Sequence, residues 1–346
     1  MKQKQIYLSS GYINFEEIVD PDYPFTFVVG GRGTGKTYGA LRYAYQYYRS
    51  TGRPVIYMRR TSKQADLLTT DVFNPYKPLN NDLLVDIRPV KLGYGIKGFT
   101  EFTDGVAAAQ HLAVMAALTT FSNFRGFDGL DFDLIIYDEF IRNEGERSIK
   151  NEAFALKNVY ETINRNRELQ GRAPLKLICL SNSNTLDNDV FVGFEIVAAA
   201  EKMIKLGKNQ YYDDDRGIAI YNTDDSPISQ RKRGTALYRA DAGGSYTDMA
   251  IGNKYADYDT SYIKSQPLKE YRPIVRYGEL TLYRHKSDVR IYASFHASGN
   301  CPIFGTSSIE KERFIRKYGY LWERYLNTNV FFDSFLCKSY FEKIFL

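Results

Sequence analysis

Eight consecutive residues carry the first recognisable chemistry of this chain: Gly30-Gly31-Arg32-Gly33-Thr34-Gly35-Lys36-Thr37. Glycines at this density let the backbone wrap so that successive N–H groups point at phosphate oxygens, helped by the positive end of a following helix. Lys36 is then placed for the β- and γ-phosphates of a nucleoside triphosphate, and the Thr37 hydroxyl for Mg2+. Further along, Leu134-Ile-Ile-Tyr-Asp138-Glu139 is an apolar run ending in two carboxylates. Asp138 suits the shell of the Mg2+ ion, and Glu139 the polarisation of a water attacking the γ-phosphate, as a general base does in an ATPase. The cofactors expected are therefore ATP and Mg2+.

Other positions fit supporting roles. Leu177-Ile-Cys-Leu-Ser-Asn182 is an apolar strand that ends in an amide. Asn182 can sense the γ-phosphate and couple hydrolysis to movement, or simply cap the next turn. Asn164-Arg165-Asn166-Arg167 closes a helix expected from about Glu152 to Arg167, with Ala153, Leu156, Tyr160 and Ile163 as its apolar stripe. At helical spacing Arg165 lies about 200° from Ile163 and Arg167 about 40° from it. Arg165 is thus expected to face away from the packing and to be able to serve a neighbouring subunit as an arginine finger. The alternative is a solvated helix end favoured by the dipole. Arg125, in Ser122-Asn-Phe-Arg-Gly126, is a second candidate for that work. The pair Arg59-Arg60 ends a strand, where it can meet a phosphate of ATP or DNA, or pair with carboxylates; Arg60 and Lys63 are the DNA-contact candidates. His111, His285 and His296 lack metal-ligand spacing. Cys179, Cys301 and Cys337 fit neither a zinc site nor a disulfide framework.

These residues need a scaffold, and the first half of the chain supplies one. Phe25–Val29 (FTFVV), Val55–Met58 (VIYM), Leu134–Tyr137 (LIIY) and Leu177–Leu180 (LICL) are short, continuously apolar strands. Helical patterns from Thr37 to about Ser50 and from about Glu152 fall between them; Thr51-Gly52 closes the first. Residues 83–102 alternate and carry glycines, which predicts a β-hairpin, and His111–Leu118 reads as a buried strand or a helix. Such alternation predicts an α/β fold with a mostly parallel sheet covered by helices on both faces. The ligand crevice of that sheet lies outside the carboxyl ends of its strands, where every motif above falls. The expected division is an ATPase domain over residues 1–200, a polar connector over 201–262 and a small α+β domain over 263–346. In the last, Pro273–Tyr277, Leu280–Tyr283 and Val289–Ala293 suggest an antiparallel sheet, followed by a helix over Ile309–Tyr325.

Composition narrows the class further. With 44% hydrophobic residues and a net charge of +5 over 346 residues, disorder is excluded as the main state. No run of about 18 apolar residues is present, so no membrane span is expected. The N-terminus has no apolar segment of the signal-peptide kind, so a cytosol-like compartment with reduced thiols is expected. Residues 263–346 hold 14 Lys+Arg against 8 Asp+Glu, whereas the remainder holds 32 against 33. That concentration suits a polyanionic partner or a solvated basic face.

Taken together, GGRGTGKT with its internal arginine, VIYMRR, LIIYDEFIR, NRNRE and LICLSNSN, in this order and spacing, resemble the DNA-packaging ATPases of phi29-type tailed bacteriophages, a branch of the terminase-like ring motors. The resemblance is good over roughly residues 15–200. It implies a P-loop NTPase fold of the ASCE type and a homomeric, pentameric ring at the portal vertex of an empty capsid in the host cytoplasm. Such a ring drives double-stranded DNA inward. It also implies that Lys36 and Thr37 bind nucleotide, that Asp138 and Glu139 hydrolyse it, and that Arg165 acts across the subunit interface, with Arg125 where the family places another interfacial basic residue. The C-terminal domain would be a vestigial ribonuclease H-like fold. Its acidic residues, Glu270, Glu279, Asp288, Glu310, Glu312, Glu323, Asp333 and Glu342, do not assemble by sequence into a two-metal cluster. A packaging RNA is a partner in some relatives, and the basic C-terminal segment would permit one. The competing readings are a terminase with an active nuclease domain and an ATP-dependent assembly protein without motor action.

Overall fold

The computed structural model describes residues 4–93, 95–124, 129–143, 145–182, 185–224, 226–242, 244 and 262–345. Continuously apolar strands must be covered on both faces, and the centre of the larger sheet follows that rule. Its strands are β1 (Phe25–Val29), β2 (Val55–Arg59), β3 (Ile87–Gly93), β4 (Ile96–Thr103), β5 (Val106–Ala107), β6 (Ala113–Ala117), β7 (Leu134–Asp138), β8 (Lys176–Ser181), β9 (Gln210–Asp213) and β10 (Ile218–Asn222). Their order is β3-β4-β6-β2-β7-β8-β1-β10-β9, with β5 beside β4. The six strands from β6 to β10 across the middle are parallel to one another. The hairpin β3–β4 and strand β9 add antiparallel margins. Every residue of β7 is buried. The strand alternative is the one realised at β6, whose residues Ala113–Ala117 pair in parallel register with Val55–Arg59 of β2.

Helix α1 (Lys36–Thr51) follows β1 and buries Ala40, Leu41, Ala44 and Tyr45, spaced three and four apart, against the sheet. Gly52 stops it in the left-handed conformation, φ 70°, with its N–H bonded to the Tyr48 carbonyl. Helix α2 (Ser62–Leu68) starts directly after β2 with Thr61 and Gln64 forming a reciprocal capping box. Helix α3 (Glu152–Asn164) ends three residues earlier than its periodicity suggests: Arg165 leaves the helix at φ 45°.

The expected connector over 201–262 is corrected by the strand pairing. β10 lies directly beside β1, with Val29 opposite Asn222, and β9 closes that edge. Contacts divide the chain into one unit of residues 1–194 with 203–256 and another of 195–202 with 257–346, so the chain returns to the first unit after residue 202. Polar composition concealed the strands because β9 is short and only half-buried at a sheet edge.

The second unit carries a five-stranded sheet of β11 (Tyr271–Tyr277), β12 (Leu280–His285), β13 (Ile291–Ser294), β14 (Ile303–Phe304) and β15 (Val330–Phe332), ordered β14-β11-β12-β13-β15. Its centre is antiparallel as expected, but both flanking strands pair in parallel, so the sheet is mixed. The expected helix over 309–325 is two, Ser308–Tyr318 and Tyr320–Leu326, meeting at Gly319. Val275, Leu280, Leu282, Phe314, Leu321, Phe332 and Phe341 form its core. Among the described residues no helix is long and apolar enough to cross a membrane.

Candidate nucleotide site

The glycine-rich loop leaves the carboxyl end of β1 and opens α1. Gly30, Gly33 and Gly35 take φ values of 135°, 72° and 86°, which a side chain would strain. Among the described residues the backbone N–H groups of Gly31, Arg32 and Gly33 meet no acceptor. A row of amides left without protein partners around a tight turn is a nest for anionic oxygens. The Lys36 ammonium lies in the loop, donating to the carbonyls of Gly30 at 2.7 Å and Gly31 at 2.8 Å, and to the Thr34 hydroxyl at 3.3 Å. Burial lowers its pKa to about 8, against the opposing pull of Glu139, Asp224 and Asp138. Thr34 is fully buried, while Arg32 stands exposed at the loop's tip.

Strand β7 brings Asp138 to this loop. The Thr37 hydroxyl donates to both Asp138 oxygens, at 3.2 and 3.3 Å. The Tyr57 hydroxyl at 2.7 Å and the Arg59 guanidinium at 2.9 Å, both from β2, donate to Oδ2. Strand β8 lies between β1 and β7, so its end faces the next residue, Glu139. Glu139 adopts φ 56°, turning out of the strand, and accepts from the Asn182 side-chain amide and from the Asn182 backbone N–H. Burial raises the Glu139 pKa and the adjacent Asp138 charge adds to it, with Arg59, Asn182 and Lys36 drawing it back. A hydroxyl and a carboxylate converging at hydrogen-bond distance are the hard oxygen donors Mg2+ takes, so Thr37 and Asp138 fit that ion.

The remaining expected positions divide. Arg165 is exposed, its Nε bonded to the Thr162 carbonyl at 3.1 Å, whereas Arg167 is buried and paired with Asp133. The two arginines separate as expected, though through the chain reversal at Arg165 and not through continued helix. Lys63 is exposed in the first turn of α2. Arg60 is corrected as a DNA contact: it is 0% exposed. Its Nε and one Nη hold the two Glu152 oxygens at 2.8 and 2.9 Å, and its other Nη holds Glu146 at 2.8 Å. The carboxylate alternative is the one realised. Arg125 lies outside the described residues.

Several neighbours of the site were not among the expected ones. Tyr57 sits in an apolar strand and reads as core. Thr223 and Lys232 belong to the polar stretch taken for a connector. Beside Gly35 a cavity of about 600 Å3 is lined by Tyr12, Asn14, Tyr38, Arg42 and Asp82, among others; no motif marks it.

The profile of the podovirus DNA encapsidation protein (Gp16) family matches residues 8–292. The DNA packaging protein of Bacillus phage phi29 is 27% identical over 256 residues, 74% of this chain and 69% of that protein. That of Bacillus phage B103 is 27% identical over 246 residues, 71% of this chain and 68% of that protein. The bacteriophage phi29 viral genome packaging motor assembly superposes with a TM-score of 0.69 at 21% identity, covering 96% of this chain and 98% of that one. The phi28 gp11 DNA packaging motor does so at 0.58 and 19%, covering 94% of each; these two likenesses concern the fold. On the breadth of the family match, the chain belongs to the podovirus DNA encapsidation protein (Gp16) family.

Proposed function

We propose that the chain is the ATPase of a phage DNA-packaging motor. It hydrolyses ATP to drive double-stranded DNA through a portal into a preformed capsid, working as a homomeric ring. The observation that carries this reading is the convergence of Lys36, Thr37, Asp138, Glu139 and Asn182 at the carboxyl ends of three adjacent parallel strands.

In this reading the amides of Gly31, Arg32 and Gly33 and the ammonium of Lys36 bind the phosphate chain, with Gly30, Thr34 and Gly35 shaping the loop. Thr37 and Asp138 hold Mg2+, which supplies charge neutralisation for the phosphates. Glu139 orients and deprotonates the attacking water; its raised pKa places it nearer the working pH than an ordinary carboxylate. The Asn182 amide holds Glu139, and release of that contact on binding the γ-phosphate would tie catalysis to the state of the nucleotide. Arg165, exposed beyond α3, is the group to complete a neighbour's site, with Arg125 as a second interfacial cation. Lys63 and the basic residues of 263–346 would meet DNA phosphates, giving salt-sensitive, sequence-independent binding. The second unit serves as a vestigial nuclease-like domain at the portal, where a packaging RNA is a further partner its charge permits.

The test is ATP turnover with and without duplex DNA. DNA-stimulated hydrolysis that falls at least about 100-fold in Glu139→Gln, with ATP binding retained, supports the motor. ATP binding with no DNA-dependent turnover sinks it in favour of an assembly protein. Metal-dependent cutting of plasmid DNA by the chain would favour an active nuclease.

A further inference from the structure

The tip of the phosphate loop is gripped from outside by a residue distant in sequence. After β10 the chain packs on the loop: the Thr223 N–H donates to the Val29 carbonyl at 2.9 Å, and the Thr223 and Thr34 hydroxyls are 3.3 Å apart. Ser226 then caps helix α4 (Pro227–Lys232), its side chain accepting from the Ser229 N–H. The last residue of α4, Lys232, donates its ammonium to the Arg32 carbonyl at 2.8 Å. It lies directly over the next residue, since a Cβ on Gly33 would stand 1.7 Å from the Lys232 nitrogen.

The consequence follows from peptide geometry. The chain has no cis peptide bonds among its described residues, and in a trans plane the N–H points opposite to the preceding carbonyl. With the Arg32 carbonyl directed at Lys232, the Gly33 N–H is directed away from it, and that N–H has no acceptor among the described residues. A charged donor on the carbonyl also polarises the amide it belongs to, strengthening the opposite N–H as a donor.

Resting on the nucleotide reading above, we infer that Lys232 is a positioning residue of the phosphate loop. It fixes the Arg32–Gly33 peptide so that the Gly33 N–H faces the phosphate chain of a bound nucleotide. It acts through the backbone and touches no phosphate itself.

Calorimetric titration of the full chain with ATP and with ADP, alongside thermal melting without nucleotide, tests this in Lys232→Met and Lys232→Arg. Lys232→Met is expected to weaken both nucleotides about tenfold with the melting temperature unchanged, and Lys232→Arg to restore most of that loss. Unchanged affinity in Lys232→Met overturns the proposal. So does a loss of affinity that tracks a fall in melting temperature and is not rescued by arginine, which would be a packing role. A loss confined to ATP would make Lys232 a direct γ-phosphate ligand and overturns the positioning role. A wild-type chain giving no heat with either nucleotide would overturn the nucleotide reading itself.

Discussion

Two titratable groups of the site are displaced toward neutrality from opposite sides, and both displacements come mainly from burial. Lys36 is lowered to about 8 and Glu139 is raised. The sign of the effect on binding can be worked out for Lys36. Phosphates attract the charged ammonium, so bound nucleotide holds the proton more tightly than the free site does. Above about pH 8 the free site is deprotonated and must take up a proton to bind. ATP affinity is therefore expected to be flat from pH 7 to 8 and then to fall by up to about tenfold per pH unit. Lys36→Met should bind weakly at every pH and show no such slope. Calorimetry at pH 7, 8 and 9 in both proteins checks this; an equal slope in the variant would assign the titration elsewhere. The same lysine affects stability in the opposite sense. Its folded pKa lies below the unfolded value, so its contribution to folding improves as pH rises from about 8 toward 10.

At the scale of elements, the arginine pair at the end of β2 splits between site and scaffold. Arg59 turns to Asp138 in the site. Arg60 turns to the opposite face and clamps Glu152 at the start of α3, where the Tyr137 hydroxyl from β7 also donates at 2.8 Å. Three elements thus share one buried carboxylate. Arg60→Ala leaves that charge without its main partner, and the expected loss is about 3–5 kcal/mol of stability, read as a lower denaturation midpoint. Arg60→Lys keeps charge but not the two-pronged geometry, and should recover only part of it. A surface-like effect near zero would refute the clamp. Arg59 and Arg60 also show where sequence stops being legible. Adjacent positions on a strand point to opposite faces, but which face meets the site depends on the order β2-β7-β8-β1, which no local pattern encodes. The loop, the acidic strand end and Asn182 were legible because each is a strand followed by a polar residue, a signal contained within a few positions. Thr223, Lys232 and the cavity beside Gly35 were not. The first two reach the loop only through the parallel pairing of β10 with β1 across nearly two hundred positions, and the half-buried edge strand β9 leaves the alternation there too weak to announce it. The helix end at Arg165 was missed for a different reason. Nothing in NRNRE breaks helical periodicity, yet the buried Asn164 amide accepts from the Leu175 N–H, and the buried Arg167 bonds Asp133 and the Phe132 carbonyl. These tertiary contacts hold the chain reversal that helical continuation would forfeit.

For the whole molecule the decisive matter is whether one chain contains a complete hydrolytic site. Within the described residues the loop is surrounded by Lys36, Arg59 and Lys232, but Arg165 stands exposed beyond α3, its Nε on the Thr162 carbonyl of its own chain. A cation that stabilises the transferring phosphoryl group must be supplied at the γ-phosphate, and an exposed arginine after a helix end is suited to reaching a second copy. If copies are arranged head to tail around a ring, each contributes its loop to one neighbour and its Arg165 to the other. Two inactive variants then complement. An Arg165→Ala subunit keeps Glu139 but offers no finger, while a Glu139→Gln subunit keeps the finger but cannot activate water. Alone, each is expected to lose about 1,000-fold or more of DNA-stimulated turnover. Mixed in equal amounts they form rings in which about a quarter of the interfaces join an intact Glu139 to an intact Arg165. If such interfaces fire independently, turnover should recover toward that fraction; if the ring fires only in strict succession, recovery should be far smaller but still above either parent. The mixing order matters as a control, because subunits that do not exchange cannot complement. Rings assembled from the mixture before DNA is added should therefore recover activity that preassembled parents, combined afterwards, do not. A finger acting within its own chain allows no recovery under any order of mixing, since every subunit would then carry a fault in the one site it serves.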